Sequence, residues 1–462
     1  MSVRAAPLVV VGGGITGLAA AHQVLTLLGP GAASLLEATP RLGGKIVSAA
    51  VGSFLIEGGP DGFLAAKPAG TALCRELGLA HRLQGTRPEY RRTYVKRDGR
   101  LHPLPEGWSG LLPTRMGPLL STRVLTVRGR LRAGLELLVP RRRQDDDESV
   151  AGFVTRRFGV EAYRWLVEPL ICGIHAADGE ALSLAATFPQ LRTMERARGG
   201  VLRSMLLQRP ARGGAPGLVA PAGGMAEIVT AVAARLGAAE VRLDAPVRRL
   251  TRRHGGYTLE LADGTSIGAR GVIVATPADA AAALLADLDA DLAHLLAGVP
   301  FVSTATISVA FPASAVPAPL DGYGYVSPRA EGSPLVACTW ASNKFAGRAA
   351  PGHALLRFFV GRAGMDEIVQ RPDGELREIV RRELADTLGI RTAPTLWRFY
   401  RWPRAIPQYV MGHLDRVARI EARLAAHPGV FLAGGSYRGV GIPDCIASGQ
   451  AAARAAAAYV RA

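Results

Sequence analysis

The 462-residue chain is poor in cysteine: Cys74, Cys172, Cys338 and Cys445 are the only four, far apart in sequence. Such spacing excludes a disulfide framework and the usual metal-binding patterns. We read them as reduced, small core residues of a cytosolic protein. Long apolar runs are missing as well, since nothing reaches the roughly 18 uninterrupted residues of a membrane span. The first 21 residues mimic a signal peptide, but a glycine cluster interrupts their apolar run. Acidic residues are too few to balance the basic ones, 38 against 55, leaving a net charge of +17 carried almost wholly by arginine. A field of that sign favours acidic lipids, a polycarboxylate or nonspecific nucleic acid. No nucleic-acid-binding module is recognisable, so nucleic acid is not expected as a partner. There is no Ser/His/Asp set, no metal cluster and no internal repeat.

What is present lies at the two ends. Leu8 to Leu28 reads LVVVGGGITGLAAAHQVLTLL, an apolar strand feeding Gly12, Gly14 and Gly17 and then a helix. This is the dinucleotide fingerprint: its glycines permit a tight turn, close approach of pyrophosphate and close helix packing, and the helix N-terminus faces the phosphates. Ser34 to Glu37 reads as a second strand ending in an acid about 20 residues past the last of these glycines, the spacing for a ribose-binding carboxylate. Gly429 to Ala462 reads as a second glycine turn followed by a helix, and we expect both ends to form one site.

Between the ends the texture changes. EGGPDGFL from Glu57 predicts a strand end and turn, then a helix through Leu79. Leu101 to Met205 is mostly helical, with the acidic run Gln144 to Glu148 expected as a solvated linker or a helix cap. Val124, Val127, Leu131, Leu135 and Leu138 recur at helical spacing beside Arg123, Arg130 and Arg132. That stripe either packs onto the domain core, the reading we favour, or lies on an anionic membrane. Val241 to Thr276 alternates as strands, and Pro300 to Ala426 carries strands at 304–311 and 354–360 plus one long helix from Met365 to Leu388.

Arg41-Leu42-Gly43-Gly44-Lys45 after the ribose acid resembles the second motif of the FAD-dependent amine oxidase and porphyrinogen oxidase superfamily. EPLICGIHAAD from Glu168, RWPRAIPQYVMGHL from Arg401 and AGGSYRGVGIPDCIASG from Ala433 narrow the resemblance to the oxygen-dependent porphyrinogen oxidases of haem synthesis, over essentially the whole chain. The resemblance implies an α/β fold: a discontinuous Rossmann-like FAD-binding domain at 1-88, 216-297 and 428-462. To it are added a helical domain at 97-204, with membrane association as one reading of it, and an inserted mixed-sheet substrate domain at 89-96, 205-215 and 298-427. FAD would be held non-covalently by Gly12, Gly14, Gly17, Glu37, Arg41, Gly43, Gly44, Lys45, Val247, Trp402, Gly439, Val440, Gly441 and Ile442. The Gly173 carbonyl would meet the substrate pyrroles, with Asp61, Lys67, His175 and Tyr409 around the substrate. His175 stands where the family usually has an aromatic residue, and is expected to be a packed histidine.

The implied reaction is a six-electron oxidation of a porphyrinogen to a porphyrin by FAD with oxygen as acceptor, needing no assigned acid or base residue. Lys67 and the run from His102 to Gly107 look more like the branch acting on coproporphyrinogen III, with protoporphyrinogen IX as the alternative. A flavin amine oxidase, a carotenoid desaturase and a non-catalytic flavin-binding membrane protein are more distant readings. The protein is expected in the cytoplasm, soluble or peripheral on an anionic membrane; its oligomeric state is not legible.

Overall fold

The computed structural model describes residues 7–105, 108–109, 112–113, 116–207, 217–237, 240–317 and 320–462. The run from His102 to Gly107 therefore lies partly outside the described residues. Leu8–Val11 is buried on both faces, as four consecutive apolar residues require in a central parallel strand. It pairs in parallel with Ala33–Leu36 on one side and Gly271–Val274 on the other. Val241–Arg242 and Val430–Leu432 complete a five-stranded sheet in which strands far apart in sequence are neighbours. The chain thus leaves this sheet to build others three times, after Leu36, Arg242 and Val274, and returns each time.

Helix Ile15–Leu28 packs on the sheet, and the C-terminal helix Ile442–Arg461 packs against it. An added Cβ at Gly449 would strike the carbonyl oxygen of Thr16, so the crossing depends on a bare glycine. This crossing sets the two glycine-rich turns side by side, as expected from the chain ends.

A second sheet of seven strands runs in the order 396–407, 301–312, 353–360, 335–340, 322–326, 92–97 and 100–103. It is mixed, because 322–326 and 92–97 pair in parallel while the other pairs are antiparallel. Residues 116–207 are mainly short helices around a core of their own that includes Phe153, Leu166, Ile171 and Leu202.

Several expectations need correction. The helix predicted from Met365 to Leu388 is two elements, a short 3₁₀ turn at Asp366–Gln370 and an α-helix at Asp373–Leu388. Pro372 separates them, since it lacks the N–H that a continuous helix would use. The helix expected through Leu79 spans Pro68–Glu76 and is closed by left-handed Gly78 (φ 77°). The favoured packing of the apolar stripe fails: Val124 is buried, but Val127, Leu131, Leu135 and Leu138 are 62%, 67%, 51% and 78% exposed. Its core-facing side is instead small, with Gly129 and Ala133 buried. The acidic run is not merely solvated, because Asp145 pairs with Arg196, Asp146 with Arg142, and buried Glu148 with Arg156. The cap of the next helix is Ser149, whose hydroxyl accepts from the amide of Gly152 at 3.0 Å.

Candidate active site

The three fingerprint glycines do three different things. Gly12 takes φ 108°, a conformation that favours glycine. A Cβ at Gly17 would run into the Gly12 carbonyl oxygen, so this glycine serves packing. A Cβ at Gly14 would meet nothing within 4 Å, and the backbone there borders open space beside the N-terminus of helix Ile15–Leu28. That space receives the amide dipole of the first helical turn, which contains no acid.

Around this opening the second motif folds back. Gly14 and Gly43 form an isolated parallel bridge, and the Gly43 amide donates to the Gly13 carbonyl at 2.8 Å. Gly43 (φ 99°) and Gly44 (φ 56°) both lie in the left-handed region, which explains the pair of glycines in this motif. Glu37 sits at the end of its strand with its carboxylate accepting from the Gly13 amide at 2.6 Å and from the amide and hydroxyl of Thr39 at 2.9 and 2.7 Å. Arg41 turns its guanidinium onto its own loop, donating to the Gly44 carbonyl at 2.6 Å. Val247 begins a strand just after Ala245, whose amide donates to the Glu37 carbonyl at 2.9 Å.

At the other side of the opening, Gly439 (φ 86°), Val440, Gly441 and Ile442 lead into the C-terminal helix. The Asp444 carboxylate accepts from the Gly441 amide at 3.2 Å, closing the helix start. Desolvation lowers the pKa of Lys45, while Cys445 and Asp279 oppose the shift. Thr276, immediately beside Gly12, has a buried hydroxyl with no hydrogen-bond partner among the described residues. A bare cradle, a helix N-terminus, and an unpaired hydroxyl fit a dinucleotide-type cofactor.

Of the remaining predicted residues, Lys67 contacts the first turn of the C-terminal helix and Tyr409 the segment that leads into it. Lys67 Nζ lies 2.6 Å from Asp444 Oδ2, with the lysine side chain 49% exposed. Lys67 also faces His175, whose pKa falls to about 4, first through burial and then through the Lys67 charge. The imidazole is therefore neutral near pH 7, and it packs edge-on against Phe188 with ring centroids 5.7 Å apart. Helix Glu168–His175 ends where Ala176 turns left-handed (φ 49°), leaving last-turn carbonyls, including that of Gly173, beyond the reach of a continuing helix. Gly173 itself is exposed. Tyr409 is buried, stacks on His413 at 4.1 Å, and donates its hydroxyl to the Gly435 carbonyl at 2.6 Å. Trp402 Nε1 donates to the Gly58 carbonyl at 2.8 Å, and Thr306 Oγ1 donates to the same oxygen at 2.9 Å.

Asp61 faces Lys344, at 2.8 Å, inside a charged cluster. Burial pushes its pKa up, but Lys344 and Arg357 outweigh burial and hold the carboxyl below its usual range. Its charge is thus already matched by protein groups. Sequence reasoning missed Thr276, Thr39, Asp444, Thr306 and Lys344. The first three stand inside or beside motifs already recognised, whereas Thr306 and Lys344 reach their partners only through the seven-stranded sheet.

Residues 15–457 match the family described as flavin containing amine oxidoreductase. The chain belongs to this family. Among its relatives, coproporphyrinogen III oxidase of Bacillus subtilis (strain 168) is 35% identical, over 98% of this chain and 98% of that protein. Protoporphyrinogen oxidase 1, chloroplastic, of Arabidopsis thaliana is 30% identical over 95% of this chain and 85% of that protein. A crystal structure from Exiguobacterium sp. 255-15, provisionally named a protoporphyrinogen oxidase, superposes with a TM-score of 0.87 at 32% identity, covering 98% and 99% of the two chains. Cyclohexylamine oxidase from Brevibacterium oxydans IH-35A shares the fold at 18% identity and a TM-score of 0.71. Membership of the flavin amine oxidoreductase family implies a flavin cofactor.

Proposed function

We propose that this chain is an FAD-dependent porphyrinogen oxidase of haem biosynthesis, with coproporphyrinogen III as the favoured substrate and oxygen as acceptor. The observation that carries this reading is its near full-length similarity to a bacterial coproporphyrinogen III oxidase. Non-covalently bound FAD would supply the hydride acceptor. Gly12, Gly14 and Gly17 with Glu37, Arg41, Gly43, Gly44, Lys45 and Val247 would hold its nucleotide side. Trp402 and the Gly439 to Ile442 turn would hold its ring side, where the amide dipole of the C-terminal helix favours added negative charge.

On the substrate side, the Gly173 carbonyl would accept pyrrole N–H donors, and a neutral His175 would add no charge to the wall. Lys67 is the cation that a substrate carboxylate would compete for against Asp444. Asp61, matched by Lys344, would contribute without repelling such a carboxylate. Tyr409 would brace the wall by tying the segment after Ile406 to the C-terminal turn. The protein's task in this reading is to orient a flexible macrocycle over the cofactor and exclude competing reactions.

The domain division that accompanies this proposal is 1-88, 216-297 and 428-462 for FAD, 97-204 for the helical domain, and 89-96, 205-215 and 298-427 for substrate. No helix among the described residues is long and apolar enough to cross a membrane. The exposed Val127, Leu131, Leu135 and Leu138 stripe supports a cytoplasmic protein that associates peripherally with an anionic membrane surface. Protoporphyrinogen IX is the second reading, favoured by the Arabidopsis similarity. Initial rates of porphyrin formation from both substrates, measured side by side under air, test the choice: faster turnover of coproporphyrinogen III is expected, and preference for protoporphyrinogen IX would reverse it. Lys67→Ala should raise the Michaelis constant for the four-carboxylate substrate more than for the two-carboxylate one; equal constants would remove Lys67 from recognition.

A further inference from the structure

Behind Asp61 lies a small cavity whose charged lining is not balanced. Lys344, Arg348 and Arg357 bring three cations to it, against the two carboxylates Glu57 and Asp61. Arg348 is 2% exposed and Arg357 is 3% exposed. Asp61 is held by Lys344 at 2.8 Å, and one Arg357 nitrogen donates to the Gly59 carbonyl. Glu57 accepts from Ser48 at 2.6 Å and from the Met225 amide at 3.0 Å, and lies 3.3 Å from Arg348. Both terminal nitrogens of Arg348 and the Nε of Arg357 nevertheless lack a hydrogen-bond partner among the described residues.

A buried guanidinium whose terminal nitrogens make no hydrogen bond is costly, because its lost hydration is replaced only by the 3.3 Å ion pair with Glu57. The Phe345 ring, 5.5 Å from the Arg348 guanidinium and 5.7 Å from Lys344 Nζ, offers only a weak quadrupole in compensation. Burial also pushes the Glu57 pKa up, against Ser48 and Arg348, which weakens the negative side further. The cavity is lined also by the buried Ser308 and has room for one small particle of about the size of a water.

We infer that this cavity is a binding site for one small monovalent anion of halide size, chloride in the cell, held by Arg348 and Arg357. The ion brings the negative charges to three and supplies the missing acceptor. It thereby fixes the Gly58-Gly59 backbone, whose carbonyls are held by Trp402 and Thr306 on one residue and Arg357 on the next. This inference stands apart from the choice of substrate.

Crystals of the flavin-loaded full chain grown in sodium bromide test it directly: an anomalous peak between Arg348 and Arg357 is expected. A featureless anomalous map there, or ordered water in its place, would overturn the inference. In solution, moving the same protein from sodium gluconate to sodium chloride or bromide at constant ionic strength should raise the melting temperature by a few degrees and saturate with halide. Arg348→Met leaves two cations for two carboxylates and should abolish that halide response. A rise of equal size in gluconate and chloride, or one unchanged in Arg348→Met, would contradict the site. Should Arg348→Met fail to fold, the bromide map of the unmodified protein decides.

Discussion

The cradle of glycines and the helical region at 116–207 solve the same problem, close packing of short elements, by opposite means. In the cradle, bare glycines let backbone meet backbone: Gly17 against Gly12, Gly44 against Gly14, Gly449 against Thr16. In the helical region, long arginines fill the joints instead. Arg157, fully buried, contacts Glu136 and, at 2.9 Å, Glu195, while Arg156 joins Glu148 and Glu195. Glycine contacts keep room and partial positive charge for a ligand, whereas ion-pair joints consume every donor on the protein itself. The first region is built to be completed by something else.

The sharpest test of that contrast is Arg157→Ala. It strands Glu136, which also accepts from the amides of Val201 and Leu202 at 2.8 and 3.1 Å. Breaking such a buried pair should cost about 3–5 kcal/mol in denaturant unfolding; a loss below about 1 kcal/mol would mean the joint is not structural. Next come two substitutions in one turn. Gly17→Val should destabilise by about 3 kcal/mol through overpacking against the Gly12 carbonyl. Gly14→Val should leave the unfolding free energy of the flavin-free protein within about 1 kcal/mol while abolishing the bound yellow cofactor. A Gly14→Val protein that keeps stoichiometric flavin would contradict the assignment of that space.

A pH test addresses the wall facing the cradle. Because the folded pKa of His175 is lowered to about 4 from 6.5, the unfolded chain takes up the proton first as pH falls. Its contribution is fully present above about pH 6.5 and is lost towards pH 4, amounting to about 2–3 kcal/mol at the acid end. His175→Phe should lose less stability than the parent between pH 7 and 4.5; parallel losses would show that the imidazole is not held neutral. The smallest stability effect is expected on the exposed stripe. Leu131→Ser with Leu138→Ser should change stability by less than about 1 kcal/mol yet reduce co-sedimentation with vesicles containing anionic lipid. A loss of several kcal/mol would return the stripe to the core, and unchanged sedimentation would remove it from membrane contact.

The two regions also differ in how far they were legible. Gly12, Gly14, Gly17 and Glu37 act through backbone conformation and a fixed spacing, so they stand in sequence much as they stand in space. The meeting of the two chain ends was legible for the same reason, since each carries half of a recognisable turn. Lys67 and His175 were marked by resemblance, but their mutual facing depends on the fold, and the Lys67 pair with Asp444 joins residues 377 apart. The partners of Asp61 come from the short helix Ala341–Lys344 and the strand His353–Val360, and no local pattern names them. The stripe misled because helical spacing reports an apolar face, not what covers it: Gly129 and Ala133, two small residues, make the inward contact that was assigned to leucines. The acidic run was legible in part: Asp145 and Asp146 stay exposed in a loop, but Glu148 is buried and pairs with Arg156, and Asp145 reaches Arg196, 51 residues on.

The central claim is that the cradle holds a flavin that a porphyrinogen reduces. Anaerobic mixing of the purified yellow protein with coproporphyrinogen III, followed by visible absorbance and porphyrin fluorescence, tests it most directly. Bleaching of the flavin on mixing is predicted, and admission of air should restore its colour with steady release of porphyrin and peroxide. A flavin that stays oxidised with both coproporphyrinogen III and protoporphyrinogen IX would contradict the account.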